Sequence, residues 1–322
     1  MDFKTTLPTK KLETPIDLAD SIMLAGSCFA EHIGIKLERY RFPAMINPFG
    51  IIFNPVSLCN NLQNCLEKKL PSNDLFIQNQ EVWYHYQLHT DFAALDLESL
   101  KNKIENQWKA TQQFLNNSKY LILTFGTAWV YRLNKNQALV ANCHKIPSKA
   151  FKKELLKIKE IKSAFTDLFN ILPKNIEVIL TVSPVRHLKD TLELNSVSKA
   201  TLRLACHELQ AAFENVHYFP AFELLIDDLR DYRFFTADML HPTPQAIDYV
   251  WEQFLNSCIS AEAQEFIQYF EKIILQIEHR PNAPQTAAHQ KFLQKLLMQL
   301  NAIKKVKVDD LIREVENRIA QN

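Results

Sequence analysis

Leu24-Ala25-Gly26-Ser27-Cys28-Phe29-Ala30-Glu31 lies where the apolar run Ile22-Met23-Leu24 gives way to apolar residues at helical spacing, Phe29, Ile33 and Leu37. A short unbroken apolar run reads as a buried strand, and apolar residues three or four apart read as one face of a helix. The stretch therefore predicts a strand, a tight turn and a helix, with Ser27 on the turn. A hydroxyl there stands beside the free N–H groups of a first helical turn, which can meet a developing oxyanion. Serine also caps helices with no chemical role, so by itself the turn is a weak sign of function.

Reading outward, the same alternation repeats. Residues 1–20 read as an extended lead-in, with Pro8 and Pro15 opposing a helix. The strand covers about 21–25 and the helix about 29–40; a short strand at Ala44-Met45-Ile46 ends in Asn47-Pro48-Phe49-Gly50. Pro55 is placed to open a helix running to about 69. The aromatic, partly alternating segment 81–92 predicts a small strand or hairpin inserted between core elements. A polar helix over about 96–117 leads to Tyr120–Phe125, a buried parallel strand ending at Gly126. A hairpin over Thr127 to Ala141, a Lys-rich helix over about 149–171 and a strand over Ile176–Val182 follow. A helix over about 195–214, a short strand Val216–Phe219, a loop over 228–242 and a helix over about 243–257 complete the pattern.

Strands alternating with helices predict an α/β protein with a mainly parallel sheet. Sites in such sheets form beyond the carboxyl ends of the strands. Ser27, Asn47–Gly50, Gly126-Thr127 and Ser183-Pro184-Val185-Arg186-His187 each follow a strand directly. From about 259 strand signals vanish, leaving helices over about 261–278, 286–303 and 307–320. The reading is a main domain, 1–258, and a helical extension, 259–322, that either packs on it or joins copies into a homo-oligomer.

Composition narrows the function classes. The 322 residues are 47% hydrophobic and 23% charged, ordinary for a globular chain, and the net charge of +1 points to neither nucleic acid nor an anionic membrane as partner. Met1–Pro8 lacks a signal-peptide core and no apolar run reaches membrane-spanning length, so the expectation is a cytoplasmic protein with no membrane insertion. Cysteines at 28, 59, 65, 143, 206 and 258 have no zinc-like spacing and read as reduced thiols. Glycine occurs four times, at 26, 34, 50 and 126, so each position is expected to answer a backbone need; Gly34 reads as letting its helix approach the sheet.

Ala237-Asp238-Met239-Leu240-His241-Pro242 supplies an Asp and a His three residues apart. Ser27 as nucleophile needs a base to take its proton; His241 is the candidate, and Asp238 would orient it. A DxxH in an exposed loop also serves as a mere cap, and no GxSxG elbow is present. Cys28 is a rival nucleophile, although a small buried thiol beside Ser27 fits equally. His85, His89, His144 and His187 are scattered, which favours core or site-lining roles and no metal. Arg186 reads as an anion-binding group or a structural ion pair. Trp83, Trp129 and Tyr131 read as core.

Gly26-Ser27-Cys28-Phe29-Ala30 resembles the motif that names the GSCFA family. Asn47-Pro48-Phe49-Gly50 with Asn54-Pro55, Gly126-Thr127-Ala128-Trp129, Asn142-Cys143-His144, Ser183–His187 and Asp238–Pro242 resemble its further blocks, over roughly residues 20–255 with the helical tail outside. The resemblance implies kinship with the SGNH (GDSL-like) hydrolases, a flavodoxin-like three-layer α/β/α fold and a Ser27–Asp238–His241 triad that cleaves a small-molecule ester, such as an acylated carbohydrate or lipid, without a cofactor. It implies backbone oxyanion donors at Ser27 and Gly50, with Asn47, Asn142 or His144 replacing the asparagine that the superfamily pattern would put at Ala128. Cys28, Gly126, Thr127, His144, Arg186, His187 and His89 are the expected substrate-lining residues. Two other readings stand beside this one: an O-acyltransferase using the same serine, and a non-catalytic binder of small molecules or carbohydrates.

Overall fold

The computed structural model describes residues 5–321, so the first four residues of the expected lead-in lie outside the described residues. In chain order come β1 (Ile22–Gly26), α1 (Cys28–Arg39), β2 (Ala44–Ile46), α2 (Pro55–Leu66), β3 (Phe76–Asn79), β4 (Val82–His85) and α3 (Leu97–Asn116). Next are β5 (Tyr120–Phe125), β6 (Trp129–Leu133), β7 (Leu139–Val140), β8 (Phe151–Leu155), α4 (Ile158–Ile171), β9 (Glu177–Val182), α5 (Thr191–Ala212) and β10 (Val216–Tyr218). A single helical turn α6 (Ala221–Glu223) precedes α7 (Pro244–Cys258), α8 (Ala261–Glu278), α9 (Ala287–Ala302) and α10 (Asp309–Ala320).

Five strands form one sheet in the order β10-β9-β5-β1-β2, every pair parallel. Renumbered among themselves they run 2-1-3-4-5, the doubly wound order whose switch point falls between the first and third strands, here β1 and β5. At that point the carboxyl ends of β1 and β5 lie side by side, and Ser27 and Gly126 follow them.

Both faces are covered, which is why the strands read as nearly continuous apolar runs. Met23, Ala25, Leu121, Leu123, Phe125, Val178 and Leu180 point into a core shared with α2, α3, α4 and α5. Ile22, Leu24, Tyr120, Ile122 and Ile179 point the other way, against α1, α7 and the C-terminal helices. The period-2 alternation is intact. The result is the expected α/β architecture, a mostly parallel sheet flanked by helices and followed by a helical region.

Gly34 meets its expectation: a Cβ there would lie 2.6 Å from the Ile46 side chain of β2, so a bare backbone lets α1 settle on the sheet edge. The insert around 81–92 is a β3–β4 hairpin that begins earlier, at Phe76. It turns through Gln80 and Glu81, at φ 50° and 66°, the double positive-φ geometry of a tight hairpin turn.

The Lys-rich helix needs correction. Residues 148–150 form a short 3-10 turn and Phe151–Leu155 is β8, antiparallel to β6, so the helix begins only at Ile158. Phe151 is buried while Lys152 and Lys153 are exposed, and Arg132 of β6 pairs with Glu154. Cross-strand pairing and one buried aromatic outweigh the helix propensity of lysine. Likewise α5 starts at Thr191, ahead of the expected 195, and the 228–242 segment opens on a π-helical turn over Leu224–Leu229.

The C-terminal helices lie on the main domain. Leu293, Leu296, Leu300 and Val315 share one buried cluster with Phe29, Ile33, Trp251 and Phe254. Arg39 reaches Glu278 at 2.7 Å and Glu271 at 3.3 Å, and Arg41 reaches Asp310 at 2.9 Å. Surface pairs of this kind contribute about 0–1 kcal/mol each, so apolar burial supplies most of the attachment.

Candidate active site

The turn after β1 is tightly fastened. Asn47, held at φ 43° after β2, gives its N–H to Leu24 O at 2.8 Å and accepts the Gly26 N–H on Oδ1 at 2.9 Å. Its Nδ2 is buried with no partner. Ser27 caps α1: its hydroxyl accepts the Phe29 N–H at 3.3 Å, and the residue is 1% exposed. Cys28, partly exposed, is the first helical residue. Burial pushes its thiol above the usual cysteine range, which weakens it as a rival nucleophile.

The Asp–His pair forms as the spacing requires. His241 Nδ1 lies 2.7 Å from Asp238 Oδ2. Asp238 Oδ1 accepts Thr236 Oγ1 at 2.7 Å, Leu240 N–H at 2.8 Å and His241 N–H at 3.0 Å. The His241 side-chain contact, followed by those N–H groups and the Thr236 hydroxyl, holds the Asp238 carboxyl far below the carboxylate range. With Nδ1 donating to this carboxylate, Nε2 is left as the acceptor nitrogen. Both side chains are about half-exposed.

The loop carrying them is clipped by Thr236 N–H to His241 O at 2.8 Å, Thr243 N–H to Phe234 O at 2.9 Å and Arg186 N–H to Leu240 O at 3.2 Å. The Arg186 guanidinium sits 4.0 Å from the Phe235 ring centre and 5.1 Å from that of Tyr232. Arg186 thus clamps the loop by cation–π contact, and of its two expected roles the ion pair is not seen among the described residues. A contact of this type is worth roughly 0.5–2 kcal/mol. Arg186→Ala is expected to lower the melting temperature by a few degrees in a thermal melt, a shift that Arg186→Lys should largely spare.

His241 acts electrostatically on two other imidazoles. His32, on the second turn of α1, is held below the usual histidine range by burial and, against the pull of Glu31, by the charge of His241. His187 is pushed down to about 4 by burial, then Lys199, then His241. Its ring packs edge-on against Phe53 at 5.3 Å. The 183–187 loop is joined to the Asp–His loop through the Arg186 N–H, and the α1 start lies within electrostatic reach of the latter. No hydrogen bond joins Ser27 to His241.

Several expected contributions fall elsewhere. The Ser27 N–H is taken by Thr124 O at 3.0 Å and the Gly50 N–H by Asn47 O at 2.8 Å, so neither is free for an oxyanion. Gly126 and Thr127 give their N–H groups to Phe53 O at 2.8 and 3.1 Å, and Ala128 gives its own to Ser198 Oγ at 2.7 Å. That loop is stitched to its neighbours, leaving no backbone donor there for a substrate. Asn142 bonds Tyr86 O and the His144 N–H, and the His144 ring stacks on Tyr84 at 4.8 Å with Nε2 2.9 Å from His85 O. These residues build the hairpin unit. His89 packs against Gly50, with Nδ1 3.0 Å from the Asp91 carboxylate. Beside Asn47 and Gly50 a cleft of about 490 Å³ opens between α1 and residues 44–51, edged by Glu31 and Asp91.

His85, fully buried in β4, is pushed down to about 4 by desolvation. A histidine depressed in the fold binds its proton more readily when unfolded. Its stabilising contribution is therefore complete above about pH 6.5 and declines as pH falls toward 4. Melting temperatures read between pH 7.5 and 4.5 should drop across this window, and His85→Phe should flatten the slope.

Sequence reasoning passed over Lys199, Ser198, His32 and Phe53. The signal for the first two was present: Asn195, Ser198, Lys199, Leu202, Ala205, Cys206 and Leu209 share the buried face of α5, which sets polar groups on an inward stripe. Among the described residues no group of three His, Cys, Asp or Glu is arranged to hold a metal, and no helix is long and apolar enough to cross a membrane. All six cysteines are free.

Fold and site together define an α/β protein with a serine on the first strand–helix turn and an Asp–His pair on the last loop of its sheet domain. The chain belongs to the GSCFA family, which it matches over residues 21–254. Residues 270–321 match the C-terminal domain of GSCFA domain proteins, so the tail, expected to lie outside the resemblance, is also a family feature. No curated protein matches the chain.

Proposed function

We propose that the protein is a serine hydrolase of the SGNH type acting on an ester. The observation that carries this reading is the Asp238–His241 contact of 2.7 Å, with three further donors fixing the carboxylate and Nε2 left to accept a proton. Ser27 Oγ releases the weak 3.3 Å bond from Phe29, gives its proton to His241 Nε2 and attacks the ester carbonyl. The oxyanion is received by the Cys28 N–H, at the positive end of α1, and by the unpaired Asn47 Nδ2. The alcohol leaves with the proton from His241, and water, activated by the same histidine, frees the acid. In this reading Asn47 serves as one donor, and the Cys28 N–H takes the role first given to the Ser27 and Gly50 N–H groups.

A second reading is a binding protein on the same fold, favoured by the burial of Ser27 and the use of its hydroxyl as a helix cap. Fluorophosphonate labelling, with mass spectrometry to locate the adduct, separates the two. An adduct on Ser27 that disappears in His241→Ala is the expected result. Folded protein with no adduct would favour the binder.

A further inference from the structure

Lys199 is 2% exposed, and lysine is almost never fully buried without a counter-charge. Among the described residues no carboxylate pairs with it. Its Nζ donates to Gly126 O and to Ser183 O, both at 2.7 Å, so one side chain ties together the loops that follow β5 and β9. On the same helical turn Ser198 Oγ accepts the Ala128 N–H at 2.7 Å and lies 3.1 Å from Thr127 Oγ1. The Phe222 ring, 5.8 Å from Nζ, closes one side. The ionisable groups that act on one another here are Lys199 with Cys28 of α1, Glu31 with Cys28 in the opposite sense and more strongly, and Lys199 and His241 with His187 of the following loop.

Tethering two carbonyls does not require a charge, since an amide donor could do it, and a buried ammonium costs several kcal/mol after relaxation. What an amide could not supply is a positive charge at the end of β5, where Lys199 holds Gly126 O and, two residues earlier, Thr124 O takes the Ser27 N–H, close to the N–H groups of α1 that already favour an anion. We propose that Lys199 is the positioning residue of this site, joining the two loops and setting its charge to favour an anion formed at the Ser27–Cys28 turn. Burial pushes Lys199 down to about 7 while Cys28 pulls it back up, and Lys199 in turn draws the Cys28 thiol down against its own burial. As an amine the group still has two N–H bonds for its two carbonyls, so the tether survives loss of the proton.

The inference uses the geometry of the site and does not depend on ester hydrolysis, because the Cys28 thiol reports the same field. In the full chain, iodoacetamide alkylation of Cys28 is followed by mass spectrometry from pH 6 to 9, with partly exposed Cys143 as internal reference. Lys199→Gln, which keeps an amide donor, is expected to slow Cys28 at pH 7 by about threefold or more relative to Cys143, as a rise of half a pKa unit requires. Equal relative rates would overturn the proposal, since a purely structural lysine would leave that ratio unmoved. Should the variant fail to fold, the unmutated chain decides. Carboxymethylation of Cys28 must raise the titration of the buried lysine, read by the ¹³C shift of its ε-carbon, above that of the uncharged carboxamidomethyl form. Identical titrations in the two forms would equally overturn it.

Discussion

Ser27→Ala is expected to lower ester turnover by about four to six orders of magnitude and to abolish fluorophosphonate labelling. The size follows from the chemistry. Without Oγ there is no covalent intermediate, and His241 and Asp238 have no attacking group to activate. His241→Ala should fall into the same range, because an unassisted hydroxyl is a poor nucleophile. The double variant should be no worse than either single one, since the residues act as a unit. Asp238→Asn should cost about 10⁴, as an amide in that place favours the wrong imidazole tautomer. Stability separates these roles. Ser27 caps α1 through the Phe29 N–H, so its removal costs about 1 kcal/mol and a melting shift of a few degrees. Asp238 accepts from Thr236, Leu240 and His241, so its variant should also loosen the loop, visible as faster proteolysis near residue 238. A folded Ser27→Ala protein with undiminished turnover would remove Ser27 as the nucleophile and the triad reading with it.

How much of this was legible in the sequence depends on the range of the interaction concerned. β1, the turn and α1 were readable because the apolar run, the glycine and the helical spacing lie within fifteen or so residues. The parallel sheet was readable because strands buried on both faces show as nearly continuous apolar runs, as Tyr120–Leu123 and Val178–Leu180 do. β8 was not, because Phe151-Lys152-Lys153-Glu154-Leu155 has the composition of a helix and is drawn into a sheet by pairing with Trp129–Leu133. That the Ser27 and Gly50 N–H groups are already engaged was hidden for a related reason. Whether a backbone N–H is free depends on which carbonyl reaches it: Thr124 O arrives from a strand distant in sequence, and Asn47 O closes its own turn on Gly50. Residue type carries no trace of either event. Asp238 and His241 were legible because their contact spans three residues. The placement of the tail was half legible: the amphipathic patterns of α8 and α9 announce a buried face, but nothing local says that α1 and α7 cover it.

Gly26→Ala is expected to be the most damaging single methyl group in the chain, costing about 3–5 kcal/mol or preventing folding altogether. Gly26 sits at φ +138°, a conformation that L side chains rarely adopt. An added Cβ would also lie 2.1 Å from Thr124 O and 2.9 Å from Thr124 C, far inside contact distance. Neither side can yield. Thr124 belongs to β5, fixed between β1 and β9 in the middle of the sheet. The Gly26 N–H is held by Asn47 Oδ1 at 2.9 Å and its carbonyl by the Ile52 N–H at 2.9 Å. Gly34→Ala makes the control, since its Cβ would meet the Ile46 side chain at 2.6 Å, and a side chain can rotate where a strand backbone cannot. That variant should cost about 1–3 kcal/mol. Urea titrations of both measure the contrast, and a Gly26→Ala protein within 1 kcal/mol of the unmutated chain would refute the account of the turn. Any Gly26→Ala protein that does fold must have moved β1 away from β5 or twisted the turn. Either change takes Ser27 from its place at the head of α1, so labelling of Ser27 should be lost along with stability. The residue that lets the chain pass from strand to helix beside β5 is therefore also the one that determines where the hydroxyl stands.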